Sequence, residues 1–188
     1  MRLPHRSPIW YLRPLHWWQR RTHGEVLEPT ALWSYRPQAL LSFLTLFSRL
    51  RTRRSPVPAD LRALVGLRVS QVIKCAFCVD LNASMLAAAG VSQPKAMALA
   101  NWRHDAAFSE IERLVLEYAE AVSTTPCIVS DELFERMRGT FEDEAIVELT
   151  AVAAFQNMSA RFNAALDAQA HGFCALPPPS PDVVEAAR

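Results

Sequence analysis

The chain has 188 residues, of which 51% are hydrophobic, with only 5 glycines and a formal net charge of +1. That length suits one domain with a sizeable buried core, and so few glycines exclude a β-rich protein built on many tight turns. The weak net charge hides a split: residues 1–74 hold 13 Lys/Arg against 3 Asp/Glu, whereas residues 75–188 hold 7 against 16. Such asymmetry can mark a nucleic-acid or membrane face, but basic residues scattered over several elements fit better a surface that closes on itself, within or between subunits.

Residues 1–35 read as an N-terminal arm that mixes Trp10, Tyr11, Trp17 and Trp18 with Arg13, Arg20 and Arg21. Pro4, Pro8 and Pro14 argue against one continuous amphipathic helix there. The arm is expected to strap across the domain or a neighbouring subunit with its rings buried and its guanidinium groups in water. The helical domain follows, over 36–176. Pro37 suits a first helical position, and Leu40, Leu41, Leu44 and Phe47 recur at helical spacing. A second helix starts near Pro58 and carries Leu61, Leu64, Val65, Leu67 and Val72. A third covers roughly 76–89 and stops at Gly90, and Ser92 opens a short one through about Ala100. "SEIE" at 109–112 is a capping box ahead of Leu114, Val115, Tyr118 and Val122. Ser130 with Asp131 opens the next helix, and "TFED" at 140–143 reads as the capped start of the longest, roughly 142–168. Residues 177–188 read as a Pro-rich disordered tail. Period-2 runs with turn signals are absent, so the fold class is all-α.

The longest apolar stretch, "ALLSFLTLFSRL" at 39–50, is interrupted by Ser42, Thr45, Ser48 and Arg49, too short and polar to span a bilayer. No apolar run of signal-peptide type precedes a small-residue cleavage site. The expected compartment is the cytoplasm, where a Cys-x-x-Cys pair serves redox or metal chemistry more often than structure.

"KCAFCVDLNAS" at 74–84 holds that pair, Cys75 and Cys78. On a helix the two sulfurs share a face. If Cys75 lies at the first turn, free backbone N–H groups and the helix dipole stabilise its thiolate. A low-pKa thiolate attacks a peroxide, and its neighbour resolves the sulfenic acid to a disulfide. Against this, no Gly or Pro lies between Leu67 and Gly90 to break the helix before Cys75. Two alternatives stay open: a zinc site, for which Cys127 and Cys174 are isolated and without a nearby His, and a pair of buried cysteines that simply fill core. The polar run Gln156, Asn157, Ser159, Arg161 and Asn163 reads equally as a pocket wall near the cysteines or as a subunit contact.

"LRALVGLRVSQVIKCAFCVDLNAS" resembles the signature segment of the carboxymuconolactone decarboxylase family, in its alkylhydroperoxidase D-like branch. The likeness continues through "FSEIERLVLEYAEAVSTTP", "VSDELFERMRGTFEDEAIVELTAVAAFQNMSARFNAAL" and "HGFCALP", over roughly residues 24–177. The resemblance implies an all-helical fold assembling as a homo-oligomer, trimer or hexamer, without cofactor or metal. It implies a small hydroperoxide or disulfide substrate and a thiol reductant of unknown identity, with no nucleic acid or membrane span involved. It implies Cys78 as the peroxide-attacking thiol and Cys75 as the resolving, proton-donating partner. The family's glutamate and histidine, which relay the proton, fall at Ala63 and Asn82 here. Asn82 is expected to face Cys78 and hydrogen-bond it, yet an amide does not exchange protons at neutral pH. Gln71 has the same limitation; Asp80 carries a carboxylate on the wrong helical face, and His104 reaches the pair only if the tertiary fold brings it there. The expected activity is therefore a weak peroxidase or thiol–disulfide oxidoreductase. The alternative is a non-catalytic oligomeric binding or interaction module.

Overall fold

The computed structural model describes residues 1–4 and 8–174, which contain helices and no strand. The helices are α1 (Arg13–His23), α2 (Glu28–Trp33), α3 (Pro37–Arg49), α4 (Ala59–Ile73), α5 (Ala76–Ala88), α6 (Gln93–Ala98), α7 (Glu110–Ser123), α8 (Asp131–Arg138) and α9 (Asp143–Ala165), with single 3₁₀ turns at Trp10–Leu12 and Leu99–Asn101. The fold class is all-α, as the periodicity indicates. The tail at 177–188 lies outside the described residues.

Helix α4 is the axis. Every residue from Ala63 to Ser70 is buried, because α5, α7 and α9 pack around it. A helix apolar on all sides belongs in the middle of a bundle, and Leu64, Leu67 and Val69 are fully enclosed there. The main core gathers Leu86 of α5, Leu99, Leu116 of α7, Met137 of α8 and Leu149 of α9 around this axis.

Caps read from the sequence are in place at two helices. Ser109 and Glu112 form the reciprocal capping box, and Ser130 accepts the Leu133 N–H. "TFED" behaves differently: Thr140 turns its hydroxyl back to Arg136 O at 3.0 Å, so it closes α8, and Glu142 opens α9 with no side-chain cap.

The arm departs from expectation. Pro14 sits in the first turn of α1, a position that needs no amide donor, so the proline starts a helix instead of preventing one. The buried side of α1 is polar: His16 Nε2 meets Ser34 Oγ at 2.9 Å, and Gln19 donates to Thr30 Oγ1 at 2.8 Å. Its tryptophans point outward, with Trp10 78%, Trp17 67% and Trp18 52% exposed, so this chain's own domain does not cover them. Among the described residues no helix is long and apolar enough to cross a membrane.

Candidate active site at the buried cysteine pair

The chain breaks between α4 and α5 without glycine or proline. Lys74 adopts φ 60°, ψ 38°, the left-handed region. Its N–H bonds Gln71 O at 3.1 Å and the next N–H, of Cys75, bonds Ser70 O at 3.2 Å. This pair of bonds is the usual helix-ending motif, but with lysine where glycine is preferred. The left-handed geometry costs an L-residue roughly 1–2 kcal/mol. Its result is to make Cys75 the N-cap of α5.

At the cap, Cys75 Sγ accepts the Cys78 N–H at 3.3 Å. The Cys75 thiol lies below its ordinary value: the hydrogen bond from the Cys78 thiol is the largest cause, burial opposes it, and the Cys78 and Phe77 amides add to the lowering. Cys78 goes the other way. Its proton is held by the bond to Cys75, by burial and by the neighbouring charge, while Asn163 and Ser159 pull weakly against them. Of the two sulfurs, Cys75 is therefore the one that ionises more readily, and Cys78 the one that keeps its proton.

Asn163, 85 residues beyond Cys78, donates its Nδ2 to Cys78 Sγ at 3.3 Å, and its buried Oδ1 has no partner. The polar run on α9 therefore divides. Ser159 and Asn163 face Cys78. Gln156 reaches Ser70 Oγ at 3.0 Å. Asn157 and Arg161 serve the end of α7, at Ser123 Oγ and Ser123 O. The sequence could have suggested Asn163 only as a polar residue in an apolar helix.

Asn82 is near the pair but does not bond its sulfur. Its amide donates to Cys78 O at 2.9 Å and to Ser70 Oγ at 3.1 Å. The absence of a side chain at Gly66 permits this: a Cβ there would lie 2.7 Å from Asn82 Oδ1. Ala63, Gly66 and Ser70 share one α4 face by spacing, the face that Asn82 meets at Gly66 and Ser70, and neither Ala63 nor Asn82 carries an acid or base. Gln71 accepts from Arg68 at 3.1 Å, and His104 is exposed in the turn before α7. Asp80 has a structural task that the sequence did not reveal. Its carboxylate accepts the N–H groups of His171, Phe173 and Cys174 at 2.9, 3.1 and 2.8 Å.

That clamp fastens the chain after α9 over the cysteines. The pair lies in a second apolar cluster with Phe77 and Ala160, covered by Leu32 from the arm and Ala168 from the clamped segment. Cys127 is exposed and Cys174 half-buried. Among the described residues no three His, Cys, Asp or Glu converge as metal ligands.

Comparison with known proteins places these features in a group. The carboxymuconolactone decarboxylase family profile matches residues 37–121. The uncharacterized protein YnjA of Escherichia coli (strain K12) is 43% identical over 166 residues, 88% of this chain and 91% of that one. Two solved structures share the fold. An uncharacterized peroxidase-related protein from Ralstonia eutropha JMP134, described as an alkylhydroperoxidase AhpD core, aligns with a TM-score of 0.78 at 19% identity, over 97% of this chain and 94% of its own. The debrominase Bmp8 in its apo form aligns at 0.75 and 22% identity, over 95% and 92%.

Proposed function

Because the chain belongs to the carboxymuconolactone decarboxylase family, we propose that it is a thiol-dependent oxidoreductase whose Cys75–Cys78 pair runs disulfide exchange and, weakly, peroxide reduction. The observation that carries this reading is the cap: a sulfur at a helix N-terminus, accepting an amide N–H at 3.3 Å with a second thiol as its proton donor.

In disulfide exchange the Cys75 thiolate attacks one substrate sulfur. A mixed disulfide forms and the other substrate sulfur leaves as thiolate, taking the proton of Cys78. The Cys78 thiolate then attacks Cys75 Sγ, forming the internal disulfide and expelling the remaining substrate sulfur, which is protonated by solvent. Two electrons pass from the pair to the substrate, and an external thiol of unknown identity returns them. In peroxide reduction Cys78 is the attacking sulfur, the role that the resemblance implies. Its proton passes to the leaving oxygen, the O–O bond breaks to give a sulfenic acid and an alcohol, and the Cys75 thiolate displaces hydroxide. Asn163, bonded to Cys78 Sγ, steadies the charge on that sulfur. Asn82 positions Cys78 through its carbonyl. Peroxide turnover is slow because Ala63 and Asn82 supply no acid or base.

The reading keeps the homo-oligomer, a trimer or hexamer. The uncovered tryptophans of the arm and the exposed Leu41 and Leu46 of α3 support it.

The test is trapping with bis(2-hydroxyethyl) disulfide. Cys78→Ser should accumulate a mixed disulfide on Cys75, and Cys75→Ser should react much more slowly at neutral pH, because the sulfur that remains holds its proton. The wild type should end with one bridge between Cys75 and Cys78 by mass spectrometry. Equal rates in the two variants, or no bridge, would overturn the proposal. A second reading, the non-catalytic binding or interaction module, has one observation in its favour: Cys75 is 1% and Cys78 2% exposed. It requires both thiols to stay reduced under the same treatment.

A further inference from the structure

A cleft of about 80 Å³ opens between α3, α4 and α9, and it holds a charge arrangement that the cysteine chemistry does not use. Its walls are apolar, from Phe47, Val152 and Phe155, with the rings of Phe47 and Phe155 tilted against each other 6.0 Å apart. Asn82 and Gln156 line it as well. Both amides bond Ser70 Oγ, the hydroxyl of the residue whose carbonyl holds the Cys75 N–H.

Two arginines line this space, Arg51 and Arg62, and the lining contains no Asp or Glu. Arg51 lies over the Phe47 ring with its central carbon 5.0 Å from the centroid. Arg62 is only 10% exposed along its side chain. Its Nη1 donates to Leu50 O at 2.8 Å, but its buried Nε has no partner. The nearest carboxylate, Glu148, stands 3.6 Å from Arg62 Nη1 and also accepts the Ser55 hydroxyl. Glu148 thus answers Arg62 alone; among the described residues no carboxylate pairs with Arg51, and the buried Arg62 Nε stays unmatched. An unpartnered buried N–H on a charged group is costly, and a guanidinium fork matches a carboxylate geometrically. Burial and the charge of Arg62 together hold the Arg51 guanidinium below its ordinary value, as two cations do when no anion lies between them.

We propose that this cleft is a binding site for a small organic monocarboxylate, its anionic group held by Arg51 and Arg62 and its aryl or alkyl body lying against Phe47, Val152 and Phe155. The volume holds roughly half a dozen water-sized positions, which suits a ring or short chain with one carboxylate and excludes a nucleotide. The cleft shares Asn82 with the redox reading, but neither sulfur lines it and binding needs neither.

Titration calorimetry with phenylacetate and its neutral isostere phenylacetamide tests this. Phenylacetate should bind the full-length wild type at least tenfold more tightly than phenylacetamide. Arg51→Gln should remove at least tenfold of the phenylacetate affinity and leave phenylacetamide unaffected. Arg62→Lys, which retains the charge without the fork, should weaken phenylacetate in the same sense. Cys75→Ser should bind phenylacetate as the wild type does, so loss of exchange activity and loss of this site are separate results. No phenylacetate binding, equal binding of the amide, or indifference to Arg51→Gln would each overturn the proposal.

Discussion

Helices α5 and α7 begin with the same hydrogen bond made by different atoms. At α7 the Ser109 hydroxyl accepts the Glu112 N–H at 3.3 Å; at α5 the Cys75 sulfur accepts the Cys78 N–H at 3.3 Å. The surroundings differ more than the caps. Glu110 and Glu112 occupy the first turn of α7, and Glu112 returns a bond to the Ser109 N–H at 2.8 Å while pairing with Lys95. Burial pushes the Glu112 carboxyl up, but Lys95 and Ser109 outweigh it and hold it below its usual range. The positive end of the α7 dipole is therefore answered by fixed carboxylates, an arrangement that stabilises the helix. The first turn of α5 carries no acidic residue. Its dipole and amides are left to a group that can ionise, and the third position holds a thiol that shares the proton. One start serves stability; the other serves a thiolate.

The largest effect that would sharpen this contrast comes from supplying α5 with the acid–base groups it lacks. Ala63 lies three residues before Gly66 on α4, and Asn82 of α5 lies against Gly66. General acid–base help is worth roughly 10²–10⁴-fold, so Ala63→Glu with Asn82→His should raise peroxide turnover near neutral pH by about a hundredfold or more. The gain should vanish when Cys78→Ser is added. A wild type already as fast as the double variant in a peroxide-consumption assay would show that the cap and the shared proton suffice alone.

A smaller effect concerns stability against pH. The unfolded thiol titrates near 8.5. Cys75 is lowered in the fold, so its contribution is fully present above about pH 8.5 and is lost as pH falls through its lower folded value. Cys78 is raised, so above about pH 8.5 the unfolded chain releases that proton first and stability falls as pH rises. Denaturant titration of the reduced protein should show the rising limb disappear in Cys75→Ser and the falling limb in Cys78→Ser, with the remaining limb reduced in each because each thiol shifts the other, at about 1.4 kcal/mol per pKa unit. The same change at the α7 cap, Ser109→Ala, should lower stability without reshaping either limb. A Cys75→Ser profile that retains its rising limb would place the thiolate elsewhere.

What the sequence disclosed follows from the range of the interactions involved. The capping box, Pro37 at the start of α3 and Gly90 after α5 are local rules, and the structure obeys them. Pro14 obeys a local rule too, but the arm's several prolines obscured which one begins a helix. The break at Lys74 was not legible, because tertiary packing of α5 against α4 imposes a left-handed lysine that propensity disfavours. Asn163 meets Cys78 from 85 residues away, and Asp80 meets the amides of residues 171–174 over a similar span. Contacts of that range leave only a weak trace in the chain: a polar side chain where an apolar one would pack. Asn82 is expected to bond the Cys78 thiol; its amide instead donates to the Cys78 carbonyl and to Ser70 Oγ.

The smallest effect tests whether the strained lysine belongs to the chemistry or only to the turn. Lys74 is exposed, so its side chain contributes little packing, and its left-handed backbone costs roughly 1–2 kcal/mol that glycine would not incur. Glycine also loosens the unfolded chain, which returns about 0.4–1 kcal/mol of that gain. Lys74→Gly should therefore raise stability by about 0.5–1 kcal/mol in denaturant titration, with the Schellman bonds to Ser70 and Gln71 intact. Because Cys75 remains the cap, the pH profile of its alkylation should not move. If stability rises and the alkylation profile shifts upward together, the strain is transmitted to the sulfur, and the cationic lysine beside the cap is part of what lowers its pKa. If stability falls instead, the α4–α5 break is held by the lysine side chain and not by the packing of the two helices.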